Sequence, residues 1–353
     1  MNAQPAIDQD KLGALLGKMV NELGAAANAA LVLLGDKLGL FKAMADGGPM
    51  TSQALAQATG TRERYIREWL AAQAASGFVT YNKPDETFTL SPEQKAVFAD
   101  DESPVNMTGG FYAIAAAFAD EPRLTEAFKS GEGVGWGEHC GCLFCGTERF
   151  FRPGYKAHLV QEWLPALEGV VNKLAVGARV ADVACGHGAS TAIMAQAFPN
   201  SRFTGFDFHA PSIAASRDKM PGAGNLDFSV ASAKNFGGEK YDHVTIFDAL
   251  HDMGDPVGAA AHIRSQLTDD GTLMIVEPLA GDSLEDNLNP VGRIYYALST
   301  SICVPASLKQ EVGAALGAQA GEKRLTEVLH AAGFSRVRRA VSTPFNMVIE
   351  ARP

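Results

Sequence analysis

The residues with the clearest chemical promise lie between Arg179 and Asp207. Val180 to Val183 is an apolar run broken by one carboxylate, Asp182, and it ends in Ala184-Cys185-Gly186-His187-Gly188 before a helix-like segment. That pattern reads as a buried strand, a glycine turn and a helix N-terminus. Glycines let a backbone approach a ligand closely, and the free N–H groups of a first helical turn favour negative charge. The next expected strand ends in Asp207, where a carboxylate can accept hydrogen bonds from two ribose hydroxyls. A nucleotide-like ligand follows, although a purely structural turn has the same pattern. A dinucleotide pyrophosphate sits badly beside Asp182. An ammonium group suits that carboxylate, and S-adenosylmethionine (SAM) carries one where NAD and flavins do not.

Two further groupings carry reactive side chains. His139, Cys140, Cys142 and Cys145 place one imidazole and three thiols within seven residues. Their spacing suits a soft metal such as zinc, but structural sites usually draw ligand pairs from two separated segments. Thiols packed in an apolar interface, or lining a pocket, produce the same sequence, and the expected state is metal-free. The second grouping is Leu250-His251-Asp252-Met253 after a strand ending at Asp248, together with Glu277 at the end of Ile275-Val276-Glu277.

These residues need a scaffold that gathers strand ends. Short apolar runs at 179–183, 202–207, 226–230, 241–247 and 271–276 alternate with helical segments, the pattern of a parallel sheet covered on both faces. A helix over 322–332 and two strands, 337–341 and 346–351, close the chain. Only Ser342-Thr343-Pro344 and its neighbours join these two, so they must be antiparallel. In such sheets ligands bind beyond the carboxyl ends of the strands, which singles out Phe208, Ser232, Ala233 and Asp248.

Upstream, 11–46 predicts two alanine- and leucine-rich helices with a break near Gly35. Short helices at 52–58 and 62–76 and a hairpin over 78–90 follow, as in a winged helix. Three regions result: 1–100, a winged-helix domain; 101–174, linker helices forming part of a substrate pocket, with one helix over 152–174; and 175–353, the catalytic domain. An insertion at 282–321 is expected to act as a lid. Phe111, Tyr112, Trp136 and His139 in the linker, and Arg293, Tyr295 and Tyr296 in the insertion, are candidate pocket walls, since pockets are lined by aromatic side chains at domain interfaces.

An acidic residue followed by a GxGxG-like turn resembles the first motif of class I SAM-dependent methyltransferases. Ala184 stands at the first glycine position, which alanine tolerates if φ stays negative. The antiparallel ending is likewise a feature of that family and not of nicotinamide-binding domains. With the winged helix, the chain resembles the two-domain small-molecule O-methyltransferases. The resemblance implies an α/β fold with a Rossmann-like seven-stranded catalytic domain and an N-terminal all-α/winged-helix domain that dimerises. SAM is the implied cofactor, held by Asp182, Ala184, Gly186, Gly188, Asp207, Phe208, Ser232, Ala233 and Asp248. The LHDM segment is similar to the family's LHDW, which makes His251 the general base beside Asp252, oriented by Glu277. Methyl transfer to oxygen of a small molecule is the expected activity. The alternatives are transfer to a thiol, sulfide or thiophilic element, and a ligand-sensing transcriptional regulator.

Bulk properties narrow these readings. The 353 residues carry a net charge of −10, which argues against a general polyanion binder. Residues 1–100 hold nine Lys/Arg against eleven Asp/Glu, although DNA binding needs a basic face. The apolar run 25–35 is too short to span a bilayer, and Met1–Asp10 lacks the pattern of a secretory leader. Five cysteines in an odd, clustered arrangement fit a reducing cytoplasm. The expected protein is a cytoplasmic homodimer.

Overall fold

The computed structural model describes residues 7–220, 222 and 224–353. Met1–Ala6, the start of the segment tested above for a leader, lie outside the described residues. The chain divides into two compact units between Ala115 and Ala116.

In the first unit Asp8 caps the helix Gln9–Lys37 by accepting from the N–H groups of Asp10 and Lys11. The break expected near Gly35 falls later, at Leu38-Gly39, where Gly39 takes a left-handed φ of 67° before the helix Leu40–Gly47. Gly35 serves packing instead: a Cβ there would stand 2.6 Å from the Trp69 ring. Helices Ser52–Thr59 and Glu63–Ala75 follow, then the hairpin of β1 (Thr80–Asn82) and β2 (Thr87–Thr89). Ser91 and Gln94 form a capping box on the helix Pro92–Phe98. Val32, Phe41, Met44, Leu55, Trp69 and Leu70 make the core, so the helix-spaced apolar residues do converge on one face.

The second unit is built on seven strands: β3 (Arg179–Val183), β4 (Arg202–Asp207), β5 (Leu226–Val230), β6 (Tyr241–Phe247), β7 (Leu267–Pro278), β8 (Arg336–Ser342) and β9 (Asn346–Arg352). Their order is β5-β4-β3-β6-β7-β9-β8, parallel except that β9 runs antiparallel to both β7 and β8. Chain direction across the sheet reverses between β3 and β6, which opens a crevice at their carboxyl ends. Val180, Ala181, Val244, Ile246, Leu273 and Ile275 are buried, as strands covered on both faces require.

The helix expected over 152–174 is a different object. It begins earlier, at Cys142, runs to His158 with Pro153 inside it, and continues as a π turn, Leu159–Trp163. A further helix, Val170–Val176, leads into β3. The wider turn shifts the phase of the apolar stripe, and Leu159, Trp163 and Leu164 all become fully buried.

Candidate active site

A cavity of 460 Å³ opens at the carboxyl ends of β3, β4 and β6. Ala184, Gly186, Asp207, Phe208, Ser232 and Ala233 line one part of it, and Asp248, Asp252 and Met253 another. Trp136, Phe144, Phe151 and Tyr155 supply an aromatic wall. Sequence reasoning had singled out Trp136 for the wall but missed Tyr155 and the nearby Glu148, which lie on the helix whose start was misplaced.

The turn after β3 is held from both sides. Asp207 Oδ2 accepts from the Gly186 N–H (2.9 Å) and Oδ1 from the His209 N–H (2.8 Å). Burial raises the affinity of Asp207 for a proton, and these two backbone donors oppose it. Gly186 and Gly188 adopt φ values of 53° and 75°, and a Cβ on Gly188 would meet the Phe228 ring at 2.5 Å. Ala184 does not keep a negative φ. It sits at 59°, in the left-handed region, which costs a residue with a Cβ about 1 kcal/mol.

Asp182 does not border the cavity. It is fully buried and accepts from Ser190 (2.7 Å), Thr191 (2.6 Å) and Thr245 (2.9 Å), tying β3 to β6 and to the helix Ala189–Ala197. Burial pushes its pKa up to about 6 against the pull of those hydroxyls. The carboxylate that suggested an ammonium partner is thus committed to protein donors. The Ser190-Thr191 pair, following the glycines directly, was the available signal.

At the end of β6, Asp248 also adopts a left-handed φ, 47°. It accepts from the Tyr155 hydroxyl (2.8 Å) and from Asn346 Nδ2 (2.8 Å). Its surface is partly open to the cavity, yet protein surrounds the carboxyl group, and that burial together with the charge of Glu277 lifts its pKa to about 8.

Behind this wall His251 is buried, with its Nδ1 hydrogen-bonded to Glu277 Oε2, while Glu277 Oε1 accepts from the Leu250 N–H (2.9 Å). Nε2 lies 3.2 Å from Asp252 Oδ1. Burial disfavours the imidazolium, but the carboxylates of Glu277 and Asp252 outweigh it, so His251 holds its proton well above the ordinary histidine range. Asp252 is the member of the group that borders the cavity. Cys303, which sequence reasoning overlooked, hydrogen-bonds to both His251 and Asp252.

The other candidates lie elsewhere. Phe111 packs on the core of the first unit, and the Tyr112 hydroxyl donates to Asp36 there (2.6 Å). Tyr295 is buried with its hydroxyl on the Phe345 carbonyl (2.8 Å), and neither it nor Arg293 nor Tyr296 is among the cavity's lining residues. His139 is buried with Nδ1 on Asp120 (2.8 Å); the sulfurs of Cys140 and Cys142 approach to 2.7 Å, and Cys145 is exposed.

Comparison with known proteins agrees with this architecture. Residues 26–99 match the Rv2258c-like winged HTH domain family, and residues 181–273 match a methyltransferase domain family. The structure of human N-acetylserotonin methyltransferase in complex with SAM is similar over 99% of both chains, with 16% identity and a TM-score of 0.72. Mitomycin 7-O-methyltransferase MmcR is similar over 98% of this chain and 100% of its own, at 20% identity and a TM-score of 0.66. Trans-aconitate 2-methyltransferase from Paracidovorax citrulli (strain AAC00-1) is 29% identical over 105 residues, which are 30% of this chain and 40% of that protein. The fold is therefore that of the two-domain SAM-dependent methyltransferases. More particularly, the chain carries a winged helix-turn-helix domain of the Rv2258c-like type followed by a methyltransferase domain.

Proposed function

We propose that this protein transfers a methyl group from SAM to an oxygen atom of a small molecule. The observation that carries the reading is the single cavity that joins the glycine turn and Asp207 to Asp252 and, through it, to the buried His251–Glu277 pair. The similar proteins named above have small-molecule acceptors in their names, and one of them holds SAM.

The residues fit the cofactor. Each oxygen of Asp207 accepts one backbone N–H and retains acceptor capacity for a ribose hydroxyl, while Gly186 and Ala184 leave backbone open to the cavity. Phe208, Ser232 and Ala233 would flank the base. When bound, SAM supplies a methyl group activated by its positive sulfur.

The chain supplies placement and proton removal. Asp252 would orient an acceptor hydroxyl in the cavity, and the proton would reach His251 Nε2 by way of Asp252, because His251 itself does not border the cavity. Glu277 holds the ring through Nδ1 and stabilises the imidazolium formed. Because the two carboxylates raise the proton affinity of His251, the neutral base is available only on the alkaline side of the ordinary histidine range.

We also read the protein as a homodimer. Leu15, Leu16, Met19, Val20 and Leu23 form an exposed apolar stripe at helical spacing on the first helix, the pattern of a helix-packing face. Arg64 and Arg67 are engaged by Glu68 and Glu63 on their own helix, which weakens the case for a DNA-reading surface. The testing experiment is a radiolabelled-methyl screen against phenols, hydroxy acids, thiols and inorganic sulfide. Transfer to hydroxyl acceptors that fails in His251→Ala supports the reading. Transfer to thiols alone, indifferent to His251, contradicts it.

A further inference from the structure

Three side chains converge beside the cavity in a way that methyl transfer does not require. One donor atom from each of His251, Asp252 and Cys303 lies within 4.8 Å of the others. Ligand atoms held about 2.0–2.3 Å from a tetrahedral zinc stand roughly 3.3–3.8 Å apart, so a small contraction closes the set. Asp252 Oδ1 is buried without a hydrogen-bond partner, since its 3.2 Å approach to His251 Nε2 lacks hydrogen-bond geometry. Buried polar atoms in native proteins seldom go unpaired, and this one, beside the imidazole and the thiol, points to something that belongs among the three.

The outer contacts have the arrangement of a metal centre. His251 Nδ1 is tied to Glu277. A carboxylate on one ring nitrogen fixes the tautomer and leaves the other nitrogen's lone pair free to ligate. Cys303 ends a π turn, Ser299–Cys303, an insertion that recurs at functional sites because it redirects one side chain. An imidazole, a thiolate and a carboxylate form a set for a borderline cation, not for magnesium or calcium.

We infer that His251 Nε2, Asp252 Oδ1 and Cys303 Sγ bind one zinc-like divalent cation, with solvent completing its coordination. Binding releases the Cys303 thiol proton, and any proton on Nε2, to the solvent. The inference rests on the function proposed above only for its consequence. A cation on Nε2 occupies the lone pair that would accept the acceptor's proton, so the loaded protein is slow toward hydroxyl acceptors.

The test uses the full-length protein stripped of metal, with Zn²⁺ alone in equilibrium dialysis and Co²⁺ as a spectroscopic probe. Expected are one tightly held equivalent and a thiolate-to-cobalt charge-transfer band. Cys303→Ser should abolish the band, and Asp252→Asn should weaken Zn²⁺ binding at least tenfold, both in variants with native circular dichroism. The triple variant Cys140→Ser, Cys142→Ser, Cys145→Ser should keep both. Retention of less than about a tenth of an equivalent overturns the inference, as does binding that disappears with the triple variant and survives Cys303→Ser. No acceptor is present in these measurements, so their failure leaves the methyl-transfer reading standing. Conversely, an inactive metal-free protein that still binds Zn²⁺ through Cys303 refutes only that reading.

Discussion

The two ends of the cavity are built on opposite principles. At the glycine turn every carboxylate has matched donors: Asp207 has two backbone N–H groups, and Asp182 has three hydroxyls. At the other end Asp248, Asp252 and Glu277 crowd around one imidazole and one thiol, and burial plus mutual repulsion favour the protonated forms of Asp248 and Asp252. The first end is held in one arrangement by its own hydrogen bonds, which suits it to the cofactor proposed above. The second stores electrostatic stress that a proton, a cation or a substrate group can relieve, which is where perturbed titration usually accompanies function.

The largest expected effect breaks the second end. His251→Ala should lower turnover with a hydroxyl acceptor by about a hundredfold while SAM affinity stays within about twofold, because only proton removal is lost. In the wild type the rate should rise with pH, with its inflection on the alkaline side of the ordinary histidine value, since the carboxylates hold the imidazolium. A profile flat across neutrality would contradict that assignment.

Next comes the first end. Asp207→Ala removes the anchor of the Gly186 amide and the acceptor proposed for the ribose, and should weaken SAM binding by about tenfold or more, read by calorimetry. Turnover at saturating SAM should change far less, so the two variants separate the two ends.

Asp248→Asn sharpens the comparison through stability. Its carboxyl pKa is about 8 when folded against an ordinary 3.8, so the fold holds a proton the unfolded chain releases. That contribution is complete below the ordinary value and is lost as pH rises through about 8. The asparagine variant should therefore gain stability relative to wild type as the pH is raised from about 5 to about 9, followed by thermal melts. The smallest effect is at Ala184. Glycine relieves the left-handed strain but loosens the unfolded chain, leaving a net gain of about 0.5 kcal/mol.

The difference between the ends also explains what the sequence could reveal. The seven strands and the antiparallel closure were legible because apolar runs and the tight Ser342–Pro344 connection are local signals. The glycine turn and the strand ending at Asp207 were legible for the same reason. The geometry that crosses the fold was not: nothing near Asp182 announces Thr245, and nothing near His251 announces Cys303, which arrives from a π turn 52 residues later. Nor does a tyrosine's sequence context reveal that its hydroxyl is already bound, as with Tyr295 on Phe345 and Tyr112 on Asp36. The left-handed Ala184 escaped because alanine gives no warning of positive φ. The helix start at Cys142 escaped because Gly141 and Pro153 both read as breaks.

One measurement bears most directly on the central claim that the cavity's glycine-turn end holds SAM. Calorimetry of the purified protein with SAM and with its demethylated product should show saturable heat for both, diminished together by Asp207→Ala. No heat for either, alongside tight uptake of NADH, would contradict it.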